Sequence, residues 1–171
     1  MTRAPEAPEA AELPKAAATT PAAKSAAPPA SPWNVEVDVI LIDMDSDPPE
    51  FEINSYLQDP QDGPLVFNNN HRPGFLIHFN LQDPNGSGYC FPTHANKDDA
   101  VWSAVGTTCP TTAIWDVLEP RRIENQQMTL VVRNRNRAPH LGEFRYTLRV
   151  TDGTDWKELD PVGNNQNGQE S

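Results

Sequence analysis

Apolar and polar side chains alternate along most of the chain after Trp33, and this alternation limits what the chain can fold into. Residues 35–42 read VEVDVILI, so that Glu36 and Asp38 separate three valines before both faces become apolar. Residues 74–81, GFLIHFNL, follow the same period of two. Because successive side chains of a strand point to opposite faces of a sheet, the pattern predicts strands with one face on a core and the other toward water.

Turn-forming residues separate these runs at short intervals. The segments DPPE, DPQDGP, DPNGSG, EPRR and TDGT each contain Pro, Gly, Asp or Asn, as chain reversals do. The predicted strands cover residues 34–42, 50–54, 64–68, 74–82, 88–91, 113–118, 127–134 and 143–151. This spacing is typical of an all-β, immunoglobulin-like sandwich of about seven antiparallel strands, and a small closed barrel is the alternative. Residues 96–105 could add a helical turn or two.

Composition divides the chain into three regions. Residues 1–32 contain little besides Ala, Pro, Thr, Ser, Lys and Glu. Such a segment buries too little apolar surface to offset the entropy of ordering it, so a disordered Ala/Pro-rich tail is predicted there. The sandwich domain is predicted over 33–162 and a short disordered C-terminal tail over 163–171. No stretch has the length of a signal-peptide apolar run or of a membrane span, so a cytoplasmic location is expected.

The formal net charge of -11 is distributed unevenly. Residues 34–62 carry many carboxylates and neither Lys nor Arg, whereas residues 121–149 carry arginines against only Glu124 and Glu143. An acidic protein lacks the positive field that sequence-independent nucleic-acid binding needs. The expected partner is therefore another protein.

The arginines of the two last long strands are the strongest candidate for a binding surface. If strands 127–134 and 143–151 form a hairpin, their outward arginines make a positive ribbon that would bind an acidic partner. The ribbon consists of Arg133, Arg135, Arg137, Arg145 and Arg149. Alternatively, the first strand lies beside the last and sets Glu36 and Asp38 opposite the arginines as ion pairs. Self-association of acidic and basic regions is the third interpretation.

Three segments carry a family resemblance. The sequences TTCPTTAIWDVLEPRRIENQQMTLVVRNRN, GEFRYTLRVTDG and LDPVGNNQNG resemble the DP-EP family of small bacterial proteins, named for Asp-Pro and Glu-Pro dipeptides. Glu119-Pro120 matches the second dipeptide and Asp160-Pro161 the first, and the resemblance covers most of 34–165. It implies an immunoglobulin-like sandwich of two antiparallel sheets with no established activity. It supplies no catalytic residue.

The segment 88–110, GYCFPTHANKDDAVWSAVGTTCP, contains both cysteines of the chain. Two reduced, buried thiols are the favoured interpretation, because a cytoplasmic compartment keeps cysteines reduced. A Cys90–Cys109 disulfide is an alternative that an oxidising compartment would allow. A metal site at Cys90 and His94 is a further alternative, and it requires a second imidazole from His71, His78 or His140.

Acidic residues near the start of the domain raise a second metal hypothesis. Asp43, Asp45 and Asp47 have the alternate spacing of a calcium loop, but Pro48 stands where such a loop needs Gly and Asn54 where it needs Glu. A solvated turn is the favoured interpretation.

Motifs for nucleophilic catalysis, phosphate cradling and zinc proteolysis are absent from the sequence. The chain is therefore expected to be no enzyme and to need no cofactor. The leading hypothesis is an immunoglobulin-like module for protein recognition or assembly, with the N-terminal tail as a tether. The alternative is a sandwich that binds a metal or small ligand through residues 88–110.

Overall fold

The structure of the chain is a computed structural model that describes residues 31–67 and 74–165. These residues form two β-sheets packed against each other, which confirms the all-β sandwich prediction. The strands are β1 (Trp33–Asp43), β2 (Glu50–Asn54), β3 (Leu65–Phe67), β4 (Phe75–Gln82), β5 (Val101–Val105), β6 (Leu118–Glu124), β7 (Thr129–Asn134), β8 (Gly142–Thr151), β9 (Trp156–Leu159) and β10 (Val162–Asn165). Most of the predicted N-terminal tail lies outside the described residues. No described helix is long and apolar enough to cross a membrane.

The first sheet has the strand order β2-β1-β4-β7-β6, and the second has the order β3-β10-β8-β5 with β9 also paired to β8. Two strand pairs are parallel, β1 with β4 and β3 with β10. The expectation of antiparallel strands throughout is therefore wrong for these pairs. The chain leaves the first sheet for β3 and returns for β4, and such a crossover brings β4 beside β1 in the same direction.

Three short elements differ from the sequence prediction. Residues 88–91 and most of 113–118 contribute only isolated bridges, at Cys90 and Trp115. The expected helical segment ends early, because a short 3₁₀ helix covers only His94–Asp99 and β5 follows it. Cys90 and β5 pair with the distant strand β8, and Trp115 pairs with Ser103 of β5, and a local pattern does not record such pairings.

The core lies between the sheets and uses the predicted alternation. Val35, Val37, Val39 and Leu41 of β1 are buried, as are the inward residues of β8. The Phe79 and Tyr146 rings meet across the sheets with centroids 5.7 Å apart. Burial of each such side chain contributes on the order of 1.5–3 kcal/mol, so the alternating residues supply the main stabilisation.

The last strand extends further than predicted. Gly163, Asn164 and Asn165 were expected in a disordered tail, but they belong to β10 and pair with both β8 and β3. Buried amides hold the strand in place: Asn165 Oδ1 accepts a hydrogen bond from Asn134 Nδ2 at 2.8 Å, across the two sheets. Asn165 Nδ2 also donates to the carbonyl of His140 at 2.9 Å. A polar composition marked this segment as a tail, although its amides are paired inside the molecule.

Candidate functional site

The five arginines of the predicted ribbon lie in different sheets. Arg133 is part of β7, which pairs with β4 and β6, whereas Arg145 and Arg149 are part of β8, which pairs with β5, β9 and β10. The hairpin hypothesis is therefore wrong. The chain crosses between the sheets after Asn134, so the two sets of arginines do not form one continuous surface by strand pairing.

The alternative ion pairs between β1 and the arginines are also not formed. Glu36 accepts a hydrogen bond from Asn80 Nδ2 at 2.8 Å and lies 4.0 Å from His78 Nδ1. β1 belongs to the first sheet and β8 to the second, so Glu36 and Asp38 cannot be cross-strand neighbours of Arg145 and Arg149.

The arginines instead pair with nearby carboxylates. Arg145 Nη2 lies 2.8 Å from Glu143 Oε1, and Arg149 Nε lies 3.3 Å from Glu158 Oε1. Arg135 lies 3.7 Å from Glu119, which also pairs with a second arginine, Arg121, at 2.8 Å. Partly exposed pairs of this kind contribute about 0–1 kcal/mol each. The paired carboxylates reduce the positive field that the sequence alone suggests for these arginines.

Arg149 is held more firmly than the other arginines of the set. Its guanidinium lies 4.1 Å from the centre of the Trp102 ring and 4.5 Å from that of Trp156. Cation–π contacts contribute about 0.5–1 kcal/mol at exposed sites. Trp102 is a buried residue of β5, and its ring lies under the Arg149 side chain. Arg149 therefore has a structural role on the outer face of the second sheet.

Arg133 and Arg135 line a small cavity of about 250 Å³ together with Trp115, Glu119 and His140. The cavity contains both arginines and carboxylates, since Asp116 also lines it. Arg137 is exposed beyond the end of β7. This cavity is near the lower limit of size for a ligand site, and its charges are balanced.

Both cysteines are free thiols, and no disulfide joins them. They are half-buried rather than fully buried as sequence analysis expected. Burial raises the pKa of Cys90, with a smaller contribution from the charge of Asp152. Burial also raises the pKa of Cys109, assisted by Asp160. A raised pKa keeps both groups in the thiol form, which is a poor metal ligand and a poor nucleophile.

The candidate metal ligands have other roles in the structure. His94 Nδ1 accepts the backbone N–H of Ile123 at 3.3 Å, and Cys90 Sγ donates to the carbonyl of Thr151 at 3.5 Å. Over residues 31–67 and 74–165, no three His, Cys, Asp or Glu side chains converge on a common point. His71 lies outside the described residues.

The acidic segment after β1 forms a turn. Asp43 Oδ1 accepts the backbone N–H groups of Asp45 and Ser46, at 2.9 Å and 3.2 Å. Asp45 and Asp47 are exposed at this turn. The carboxylate of Asp43 thus substitutes for a backbone acceptor, as Asp side chains do in turns.

The edge strands of the two sheets differ in how they are covered. On β6, Pro120 lacks an N–H and Ile123 donates its N–H to His94. The edge of β5 is covered by residues 114–116, which form backbone hydrogen bonds with Ser103. The edge of β3 is covered by Leu57, whose carbonyl accepts the N–H of Val66. Within the part of the chain that the structure describes, β2 makes backbone strand pairs with β1 alone. β2 is therefore an open edge, which sequence analysis did not identify because edges depend on strand order.

A large cavity opens beside β2. Its volume is about 700 Å³, within the range of roughly 300–1,000 Å³ typical of ligand pockets. Phe51 and Ile53 of β2 line one wall, and Leu65 and Val162 line the other. Residues of both sheets therefore line this cavity.

Carboxylates predominate among the charged groups of this cavity. Glu52, Asp62 and Glu143 line it, and Arg145 is the single cationic side chain among its described lining residues. Arg145 is already paired with Glu143. The lining therefore carries an excess of negative charge around an apolar interior.

The two dipeptides of the family resemblance occupy structural positions. Pro120 follows Glu119 on the edge strand β6, and Pro161 separates β9 from β10. Asp160 Oδ1 accepts a hydrogen bond from the Thr147 hydroxyl at 2.7 Å. Asp160-Pro161 thus separates two strands, whereas Glu119 and Pro120 pair with β7 immediately before a register shift.

Neither a family model nor a curated protein matches this chain. The relationship to the DP-EP family stays a prediction from the sequence.

Proposed function

We propose that the sandwich is a protein-recognition module that binds an extended, basic segment of another protein along β2. The observation that supports this function is an uncovered strand edge with a large apolar cavity beside it. An extended segment that adds to a sheet edge gains main-chain hydrogen bonds, and its alternate side chains enter pockets next to the edge. β2 and the 700 Å³ cavity provide both elements.

The charge of this surface favours a basic partner. Glu50 and Glu52 are exposed on β2, and Asp62 and Glu143 add carboxylates around the cavity. Complementary charge accelerates association and suppresses partners of the same sign. A segment that alternates Lys or Arg with apolar residues fits this surface, whereas an acidic segment is repelled. The sequence hypothesis of an acidic partner on an arginine ribbon is replaced by this one.

A second copy of the chain is a poor occupant of this edge. Two β2 strands would set their glutamates against each other, and like charges on paired strands are destabilising. The β6 edge of another copy carries Arg121 and Arg122 together with Glu119 and Glu124, and it is blocked by Pro120 and by His94 bonded to Ile123. These charges and contacts favour a different protein as the partner.

The first test uses synthetic peptides and the full chain. A peptide that alternates lysine with valine is expected to bind, and a glutamate–valine peptide is not. Methylation of alternate backbone nitrogens of the lysine–valine peptide is expected to abolish binding, because strand addition needs those N–H groups. Fluorescence anisotropy measures each affinity. Equal binding of the methylated peptide would contradict strand addition.

Charge reversal locates the site. Glu50→Lys/Glu52→Lys is expected to weaken the lysine–valine peptide by about tenfold or more and to create binding of the glutamate–valine peptide. The matched control Glu119→Lys/Glu124→Lys changes the same charges on β6. If the control variant loses as much affinity as the β2 variant, binding reflects only the net charge of the protein and the proposal fails.

A further inference from the structure

The backbone groups of β1 alternate between its two neighbouring strands. Within a strand, the N–H and C=O of one residue point to one side and those of the next residue to the other side. The N–H of Trp33 bonds to the carbonyl of Gly74 at 3.0 Å, so the odd-numbered residues of β1 bond to β4. The even-numbered residues of β1 therefore face β2. The carbonyl of Glu36 accordingly accepts the hydroxyl of Ser55, beyond the end of β2, at 3.1 Å.

The register between β1 and β2 determines which backbone groups lie at the open edge. Glu52 and Asn54 pair with even-numbered residues of β1, so their backbone groups bond to β1. The N–H and C=O groups of Phe51 and Ile53 consequently point away from β1, and no other backbone group of the described chain bonds to them. These are the main-chain groups that an added strand can reach.

The same two residues direct their side chains toward the cavity. Phe51 and Ile53 are half-buried, pack against the core and line the cavity of about 700 Å³, whereas Glu50 and Glu52 are exposed on the other face of β2. Residues that lie directly opposite each other on paired strands have their side chains on the same face. An added segment thus directs the residues opposite Phe51 and Ile53 toward the cavity, and the residue between them lies beside Glu52.

An antiparallel segment makes the better use of this edge. The residues opposite Phe51 and Ile53 then exchange both of their backbone hydrogen bonds with β2, and parallel pairing is slightly less stable per residue. Glu52 occupies a non-hydrogen-bonded position of the antiparallel pair, at which facing Cα atoms lie about 4.5 Å apart instead of about 5.5 Å. The closer approach strengthens a cross-strand pair between Glu52 and a basic side chain.

We infer that the bound segment adds antiparallel to β2 and contains a basic residue between two apolar ones, with the basic residue opposite Glu52. The apolar residues lie opposite Phe51 and Ile53 and enter the cavity. This inference rests on the proposed function, and it names the orientation and the sequence pattern of the partner segment. Glu52 is the carboxylate that selects the central residue of that pattern.

Two methylated peptides test the orientation. The first carries methyl groups on the valine nitrogens of the alternating lysine–valine peptide, and the second carries them on the lysine nitrogens. In the antiparallel arrangement the valine N–H groups point to β2 and the lysine N–H groups point away from it. Fluorescence anisotropy with the full chain is therefore expected to show a loss of affinity of about tenfold or more for the first peptide and of less than about threefold for the second.

The pattern of losses separates this inference from the proposed function. A loss confined to lysine methylation is the result expected of parallel addition, and it would overturn the inference while strand addition stands. Equal losses for the two peptides would also overturn the inference. If neither methylated peptide loses affinity, or if the unmethylated peptide does not bind, strand addition itself fails and the inference fails with it.

A peptide with a single charged residue tests the role of Glu52. A lysine between two valines, flanked by threonines, is expected to bind the full chain about tenfold more tightly than the same peptide with glutamate in place of lysine. Glu52→Gln is expected to reduce this preference to about threefold or less, because the facing charge is removed. Asp38→Asn is the matched control, since it removes a carboxylate from the neighbouring strand β1, and it should keep the preference within about twofold of wild type. Equal reductions in both variants, or no reduction in Glu52→Gln, would overturn the inference.

Amide hydrogen exchange measured by NMR tests the assignment of the edge groups. In the unbound chain the N–H groups of Phe51 and Ile53 are expected to exchange faster than that of Glu52, which bonds to β1. Saturation with the lysine–valine peptide is expected to slow the exchange of Phe51 and Ile53 by about tenfold or more and to change that of Glu52 less. Slower exchange of Glu52 alone would overturn the inference, because the edge would then present the other set of backbone groups.

Discussion

Gly163 is the residue at which the second sheet depends most on the absence of a side chain. A Cβ built at this position would lie 2.1 Å from Cζ of Phe144, whose ring covers the backbone of β10. The ring is fully buried and cannot move without displacing other core residues. We expect Gly163→Ala to lower the free energy of unfolding by about 1–3 kcal/mol, as overpacking does. Urea denaturation measures this loss.

A double-mutant cycle tests the cause of that loss. Phe144→Leu removes the edge of the ring, and it destabilises the protein by itself. If the clash with the ring is the cause, Gly163→Ala costs less in the Phe144→Leu background, with a coupling of about 0.5 kcal/mol or more. If the two losses of stability are additive, the clash with the ring is not the cause, and the effect of Gly163→Ala arises elsewhere, such as in the backbone of β10.

The carboxylate of Asp83 makes the stability of the protein depend on pH. Burial acts to raise the pKa of Asp83, but backbone N–H groups of Ser87 and Gly88, each 2.9 Å from the carboxylate, outweigh it and hold the pKa below its ordinary value. A lowered folded pKa means that this contribution to stability is present above the ordinary pKa of aspartate and is lost as pH falls through the folded pKa.

Asp83→Asn tests this contribution, because the substitution keeps the shape of the side chain but removes its charge. We expect a lower urea midpoint than wild type at neutral pH and a difference that shrinks as the pH falls below the ordinary range of aspartate pKa values. Asp59→Asn removes the same charge at an exposed turn and serves as the control. A difference between Asp83→Asn and wild type that is constant with pH would contradict the role of the carboxylate charge.

At the scale of elements, β10 is held by amides rather than by apolar side chains alone. Asn165 exchanges hydrogen bonds with Asn134 of β7 at 2.8 Å and 3.2 Å, and Asn134 also accepts the N–H of Asn136. We expect Asn165→Ala to destabilise the protein by about 1–3 kcal/mol, because it leaves buried amide groups of Asn134 without their partner. Thermal unfolding followed by circular dichroism measures the loss.

The adjacent residue serves as the control for Asn165. Asn164 is half-buried on the opposite face of the same strand, so Asn164→Ala should change stability by no more than about 0.5 kcal/mol. Similar losses for both substitutions would mean that strand propensity, rather than the buried amide pair, is responsible.

Sequence reasoning predicted the long strands well and the short ones poorly. β1 and β4 alternate because each buries one face, and that signal is local, whereas β7 buries four consecutive residues and β8 three. β5 and β10 depend on pairing with β8, and β10 is polar because its amides bond across the sheets. The open edge and its cavity were not predicted, because strand order decides them. The arginine ribbon failed for the same reason, since its two strands lie in different sheets.

At the scale of the whole molecule, charge is separated across the first sheet. β2 and β1 at one end carry Glu and Asp without Lys or Arg, whereas β6 and β7 at the other end carry three arginines together with Glu119 and Glu124. The sequence already showed this division between residues 34–62 and 121–149. The strand order places these regions at opposite edges of the sheet, of which the acidic one is open and the one of mixed charge is blocked.

The glutamates of β2 should therefore also prevent self-association. Open edges tend to pair with one another, and charged side chains oppose this. We expect Glu50→Gln/Glu52→Gln to tighten dimerisation by about tenfold or more, because relief of like charges on paired strands is worth on the order of 1 kcal/mol. Sedimentation velocity across a range of protein concentrations measures this. The control Glu119→Gln/Glu124→Gln should stay unchanged, since Pro120 and His94 block the β6 edge whatever its charge. Equal dimerisation of both variants would show that reduced net repulsion, and not the open edge, drives association.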